Sequence, residues 1–483
     1  MKFQRLIFFT VFIALSLSQQ IFAQTGDVKD TTGLATYSIK ALLEQVQRNH
    51  PLIQAANLQT DFGDANKLKA KGSLDPYLSF DSRQKTFDGM NYYSQQFFEL
   101  DLFSASPLSA NIGIENTSGI YNNNESSTPA GGLGYIGLQL PLLKNLITDQ
   151  RRTQLKQATV IQDQSVIQKR KIIQDIHSDI WKSYIQWYVF YEQTKSLKLA
   201  LDLSNERQFA QRKLYFSGGC SGFDTLEIAV QRQLFEAKYK ENEILTLKTK
   251  IMLNAHLWSN GGNKQYDLIF KPISFKWNIV PTNQFFSELE VMLPTIDSLN
   301  ANQPDLELFA KKIDLLKLDL KLKQNYVLPK LDLKYQYLNT AFNEFNGINE
   351  NQRFGVSFAT PIYFRSSRAE VKEFKLKLFE TQLSLIYKKR ELELKSSALF
   401  NQIIYYRNIY NMLNQVENGY FQLYQMEIQK FNNGDGTIFI LNSRETRYLE
   451  SKIKTLEQYG KLMTSIVEFL TVNGRIDSFV TSR

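Results

Sequence analysis

Cysteine is nearly absent: Cys220 is the only one in 483 residues. One thiol excludes an internal disulfide and any cysteine-based metal cluster. Histidine is almost as scarce. His50, His177 and His256 lie far apart and in no ligand-like spacing, so no metal site is expected. No glycine-rich phosphate loop follows a strand, because Gly218 to Gly222 lies between two helical stretches. With no catalytic constellation, cofactor motif or metal-ligand set, an enzyme is not expected. Long apolar runs are missing too: no internal run approaches the ~18–20 residues of a membrane-spanning helix. An excess of one charge is also lacking. The net charge is +9 from 57 basic and 48 acidic residues. The bases alternate with acids, as in Lys388, Lys389, Arg390, Glu391, Glu393 and Lys395. Such patterning reads as solvated helix faces, and no nucleic-acid partner is expected.

Proline and glycine are missing where their absence matters most. From Leu142 to Ser217 the chain has neither. Ile173, Ile176, Ile180, Tyr184, Trp187 and Tyr191 recur there at steps of three and four, the spacing of one helical face. A helix of about 75 residues, roughly 110 Å at 1.5 Å per residue, is predicted. From Arg365 to Phe431 there is no proline and one glycine, Gly419. Leu392, Leu399, Ile403, Tyr406, Tyr410 and Leu413 mark a second long helix.

The segment before them is a leader in composition. Lys2 and Arg5 precede an apolar stretch from Leu6 to Leu17, and Ala23 offers a small residue for cleavage, so residues 1–23 are expected to be a signal peptide. No cysteine stands at that point, so no lipoprotein-type anchor is indicated.

Tyr37 to Ala70 reads as a helix broken at His50-Pro51, with Ala41, Val46, Ile53 and Ala56 as candidate buried positions. Period-two alternation follows: Phe98, Leu100 and Leu102; Ile112 and Ile114; Ile136, Leu138 and Leu140. Asp88-Gly89 and the run Asn122 to Ser127 are turns. A soluble sandwich with one wet face and a membrane barrel both fit these strands. The first long helix ends at Phe216, and a return helix from Asp224 to about Trp258 carries Leu226, Val230, Leu234 and Ala237 on one face. After an irregular stretch, a helix from Leu306 to Asn325 leads to strands in which Leu331, Leu333, Tyr335 and Tyr337 alternate with polar residues. Phe354, Val356 and Phe358 do the same before Pro361. The second long helix ends at Phe431, and its return helix carries Leu449, Ile453, Met463 and Leu470.

The punctuation repeats. His50-Pro51 matches Gln303-Pro304, and Asp75-Pro76 matches Leu328-Pro329, both at an offset of 253 residues. Leu140-Pro141 matches Thr360-Pro361, and Phe216 matches Phe431. Two repeats are therefore read, at 24–258 and 303–483, with residues 259–302 as a connector. The β excursions are 76–141 and 329–361; the helical tips are 216–226 and 431–441. The first excursion is twice as long as the second, which leaves an extra hairpin and a long surface loop both open.

This order resembles the TolC-like outer-membrane efflux family across essentially the whole mature chain. The residues that carry the likeness are Asn49-His50-Pro51, the strand exits Gly137 to Pro141 and Ser357 to Pro361, and the two glycine-containing tips. The fold class it implies is mainly α with membrane β: a long antiparallel α-helical barrel continuous with a trimeric outer-membrane β-barrel. The implied function is the exit duct of a tripartite efflux or type I secretion system in a Gram-negative outer membrane, extending into the periplasm. The implied partners are two further copies, a periplasmic adaptor, an inner-membrane pump and outer-membrane lipid. Gly218, Gly219, Gly222, Phe223, Leu226, Gly434, Gly436, Phe439 and Leu441 become candidates for adaptor docking. Leu331, Leu333, Tyr335 and Tyr337 become candidates to face lipid. The family's acidic ring at the entrance has no counterpart from Thr437 to Ser443; Asn442 and Ser443 stand there, and Asp224 and Glu227 follow the other tip. Those two acids either line the entrance, or else face solvent or cap the helix N-terminus, where the dipole favours them. The alternative function is a non-transport helical scaffold of the periplasm or cell surface.

Overall fold

Pro51, Pro304 and the glycines at the tips divide the helices. The computed structural model describes residues 36–37, 39–258, 271–272, 303–340 and 351–476. The leader at 1–23 and all but two residues of the connector at 259–302 lie outside them. A two-residue strand β1 (Thr36–Tyr37) precedes α1 (Ile39–Asn49) and α2 (Pro51–Gly72). Proline opens α2 because the first helical N–H needs no intrahelical acceptor. Four strands follow: β2 (Tyr77–Phe87), β3 (Met90–Leu102), β4 (Ser109–Ser118) and β5 (Leu133–Pro141). Then come α3 (Gln150–Phe216), α4 (Gly222–Asn254) and the short β6 (Lys271–Pro272), which pairs in parallel with β1. The last elements are α5 (Pro304–Asn325), β7 (Lys330–Asn339), β8 (Gln352–Ala359), α6 (Arg365–Asn432) and α7 (Ile438–Val472). The two long helices have 67 and 68 residues.

The first long helix starts later than its composition predicts. Residues 142–149 are turns, because their backbone is drawn to the opposite chain exit. Leu142 N donates to Leu331 O at 2.7 Å, and Asn145 N to Asn325 Oδ1 at 2.8 Å. Asp149 then accepts from Arg152 N at 2.7 Å and starts the helix.

One compact unit comprises Ala55–Ile172 and Thr295–Leu394. It holds a six-stranded sheet in the order β2-β3-β4-β5-β7-β8, with every neighbouring pair antiparallel. The extra length of the first excursion is a full hairpin: β2 and β3 turn at Asp88-Gly89, both with positive φ (54° and 72°), the backbone a tight two-residue hairpin requires. β5 and β7 join the two excursions. The helical parts of the unit follow the same order as the strands they feed. Gln162 on α3 bonds Lys67 and Asp64 on α2 at 2.8 and 2.5 Å. Lys311 on α5 reaches Asp163 at 2.7 Å, and Lys323 reaches Glu370 on α6 at 2.9 Å.

The other unit comprises Met1–Gln54, Ile173–Pro294 and Lys395–Arg483. α1 buries Ile39, Leu42, Leu43 and Val46, while Ala41 is half-exposed. Ile176, Ile180, Tyr184 and Trp187 of α3 are buried, as are Met463, Ile466 and Leu470 of α7. Gly460 permits close approach of these two helices, since a Cβ there would lie 2.9 Å from Val189. On α4 the periodic face Leu226, Val230 and Leu234 stays exposed. Ile228, Phe235 and Leu253 are buried instead, with Phe235 packed on Leu197, Ala200, Leu201 and Leu449. α4 carries two apolar stripes, and the neighbours bury the one that holds Phe235. Among the described residues no helix is long and apolar enough to cross a membrane.

Candidate functional site

The sheet is the first candidate. Antiparallel register places directly opposed residues on one face. One row runs Asn111, Gly137, Gln336 and Arg353; another joins Glu99, Gly113 and Tyr135. This polar face is hydrogen-bonded within one chain. Arg353 donates to Glu115 at 2.7 Å and to Gln336 Oε1 at 3.3 Å. Asn111 Nδ2 donates to Glu99 at 2.5 Å, and Gln139 Nε2 to Asp332 at 3.3 Å. Asn111, Glu115, Asp332 and Gln336 are all 9% exposed or less.

The other face is apolar and open. Leu331, Leu333, Tyr335 and Tyr337 lie on it, opposite Phe358, Val356, Phe354 and Gln352. Leu78, Phe80, Phe98, Ile136, Phe354 and Phe358 of this face are 45–66% exposed. A soluble sandwich does the reverse: it covers the apolar face and leaves the polar face wet. An exposed apolar area on this scale calls for an apolar environment or a partner.

The tips are the second candidate, and both lie in the unit without the sheet. They share one construction. Gly218 and Gly434 have φ of +76° and +84°. Gly219 N donates to Leu214 O and Asp435 N to Lys430 O, at 2.8 and 3.0 Å. This six-to-one bond with a left-handed glycine is the Schellman cap. Three residues after each glycine, Ser221 and Thr437 cap the next helix. Gly222 opens α4, and Gly436 lies against Phe431, where a Cβ would come within 2.9 Å of the backbone. Ile228, Tyr424, Ile438 and Leu441 form one buried cluster that brings the two tips together. Leu441 is thus inside, whereas Phe223, Leu226 and Phe439 are exposed.

Of the acids beside the first tip, Asp224 is engaged. Asp224 is the reciprocal partner of Ser221 in a capping box, accepting from its N–H at 3.2 Å and its hydroxyl at 2.8 Å. Partial burial and the neighbouring Asp224 push the Glu227 carboxyl up from its usual range. Ser443 is half-buried, and Asn442 is buried with its Oδ1 3.4 Å from Arg207. One turn beyond is a residue that the sequence reading passed over. Glu445, whose side chain is 2% exposed, pairs with Arg207 on α3 and accepts from Tyr424 Oη at 3.0 Å. Burial and Glu445 push the Tyr424 phenol up. A signal existed: Glu445 falls four residues from both Leu441 and Leu449, so an acid stands on the buried stripe. Among the described residues no group of three or more histidines, cysteines or acids is placed to hold a metal.

No family model and no curated protein matches the sequence. Solved structures do. The CmeC outer membrane channel of Campylobacter jejuni is similar with a TM-score of 0.64 at 11% identity, over 92% of this chain and 88% of that one. The outer membrane protein VceC of Vibrio cholerae is similar at 0.61 and 12%, over 90% and 96%. The open state of the Neisseria gonorrhoeae MtrE outer membrane channel is similar at 0.61 and 11%, over 91% and 89%.

Proposed function

We propose that this chain, which has the fold of the TolC-like outer-membrane channels, is the outer-membrane exit duct of an efflux or secretion system. The observation that carries the reading is the sheet with an exposed apolar face and a bonded polar face. In water that arrangement leaves apolar area unburied; against lipid the same face is in its proper solvent. Leu331, Leu333, Tyr335 and Tyr337 then meet lipid, and the polar face lines the pore. An open sheet edge has no place in hydrocarbon, so several copies must share one barrel. A homotrimer is the assembly the family resemblance implies. The two tips, built on one cap design, support reading the chain as two repeats. Their exposed Phe223, Leu226 and Phe439 are the docking candidates for a periplasmic adaptor that connects an inner-membrane pump. Selectivity for cargo then resides largely in the pump. The scaffold alternative leaves the apolar face of the sheet without a role.

Fractionation tests the reading. The protein is expected in the outer membrane after a carbonate wash, and in mild detergent at about three times its 56.0 kDa chain mass. A soluble, folded monomer in the periplasm would overturn it.

A further inference from the structure

Among the described residues the sheet ends in two unpaired strands: β2 pairs with β3 alone and β8 with β7 alone. Every residue of β8 is exposed, and so is most of β2. We propose that β8 of one copy pairs antiparallel with β2 of the next, each copy supplying six strands, so that three copies close an eighteen-stranded barrel. The proposal rests on the outer-membrane duct reading above and adds which edges meet, in which register, and how wide the barrel is.

Strand direction is the first argument. All neighbours are antiparallel, so direction alternates across the sheet. Six strands is an even number, and rotation about a barrel axis preserves direction. β8 therefore meets the next β2 running the opposite way, as in an ordinary antiparallel ladder. An odd number of strands would have forced a parallel junction.

The strand ends give the register. Tyr77 follows α2 and Ala359 precedes α6, so both ends lie on the helical side of the sheet. Setting Ala359 opposite Tyr77 uses all of β8 and places Phe358 opposite Leu78, Val356 opposite Phe80, and Ser357 opposite Ser79. Both apolar faces then coincide, as do both polar faces. A slip of one residue would turn every side chain to the wrong side.

The stagger inside one copy agrees. The row that starts at Tyr77 passes through Asp101, Asn111, Gly137 and Gln336 to Arg353. Tyr77 is the first residue of β2, whereas Arg353 is six residues from the end of β8. In the flush register that row re-enters the next copy at Arg83, six residues along β2. The shear then equals the strand number, which corresponds to a strand tilt of about 35° for a 3.3 Å rise and 4.8 Å spacing. Closed barrels tilt by about 35–45°. The offset needed for closure is thus already present in the single sheet.

Cysteine pairing tests the junction in full-length protein carrying Cys220→Ser. Oxidation of the Ser79→Cys/Ser357→Cys variant is expected to give a covalent ladder that ends at three copies. The Phe80→Cys/Ser357→Cys variant, with its thiols on opposite faces, is expected to stay unlinked. Failure of the first pair to link in protein that sits in the outer membrane as an oligomer would overturn the junction, as would linking of the second pair. Absence from the outer membrane would instead sink the duct reading. Electron cryomicroscopy of the unmodified protein is the second measurement. Eighteen strands around the barrel are expected, and twelve would overturn the proposal even if the cysteine variants failed to assemble.

Discussion

Tyr135 lies across Gly113 on the polar face of the sheet. A Cβ at Gly113 would fall 2.4 Å from the Tyr135 ring and 2.7 Å from Phe98 O, whereas one at Gly355 would meet nothing within 4 Å. Gly113→Val is expected to cost about 1–3 kcal/mol of packing strain and to deplete the oligomer that the proposed shared barrel requires, as read in mild detergent. Gly355→Val should leave that oligomer intact; equal behaviour would mean the Tyr135 ring moves freely. Arg207 and Glu445 show what a buried charge costs. Arg207→Ala leaves Glu445 without its cation and is expected to destabilise by about 3–5 kcal/mol. The double change Arg207→Met with Glu445→Leu should recover much of that, as read from thermal unfolding midpoints. The histidine pair sets a pH response. His50 and His256 stack at 6.0 Å. Burial, joined by His256, lowers the His50 pKa below the usual 6.5. Burial also lowers that of His256, partly offset by Asp179. The unfolded chain binds protons first, so the pair's contribution is present above about pH 6.5 and is expected to be lost as pH falls below it. The unfolding midpoint should drop between pH 7.5 and 5.5, with a shallower slope in His256→Asn; identical slopes would exclude the pair as the cause.

At the scale of elements, β7 shows how far alternation reads. Its apolar positions were legible because side chains on a strand alternate with period two. Leu333→Arg is expected to cost about 2–4 kcal/mol of membrane insertion if it sits near the midplane. Lys334→Glu, on the exposed part of the polar face, should preserve assembly and shift ion selectivity in a planar bilayer. Equal assembly of the two variants would reverse the assigned faces. Gln336 is a poorer probe than its spacing suggested, because it is buried against Arg353. β2 was less legible: after Leu78 and Phe80 it runs through Arg83, Gln84 and Lys85, and an edge strand of that composition looks like a loop. Residues 142–149 misled in the opposite direction. Lacking proline and glycine permits a helix but does not pull the chain into one, and the bonds to Leu331 and Asn325 prevailed.

For the whole molecule the proposed entrance matters most. A ring of inward acids would concentrate negative charge in a narrow mouth. Here Asp224 caps a helix and Glu445 is paired with Arg207. A trivalent cation added on the side of the tips is therefore expected to block conductance weakly, with little change in Asp224→Asn plus Glu227→Gln. Tight block that survives both substitutions would require another acid at the mouth.

The amino-acid sequence by itself determined the kinds of element and their order, because helical and strand periodicity, proline breaks and glycine caps act within a few residues of chain. It determined the absence of disulfides through composition alone. Only the tertiary structure decided that the first excursion is four strands, that β5 meets β7, that α4 buries Phe235 and leaves Leu234 exposed, and that Arg207 finds Glu445. Each of those outcomes depends on which of several similar surfaces meet. The partners that settle it stand up to 238 residues apart, beyond the reach of any local pattern.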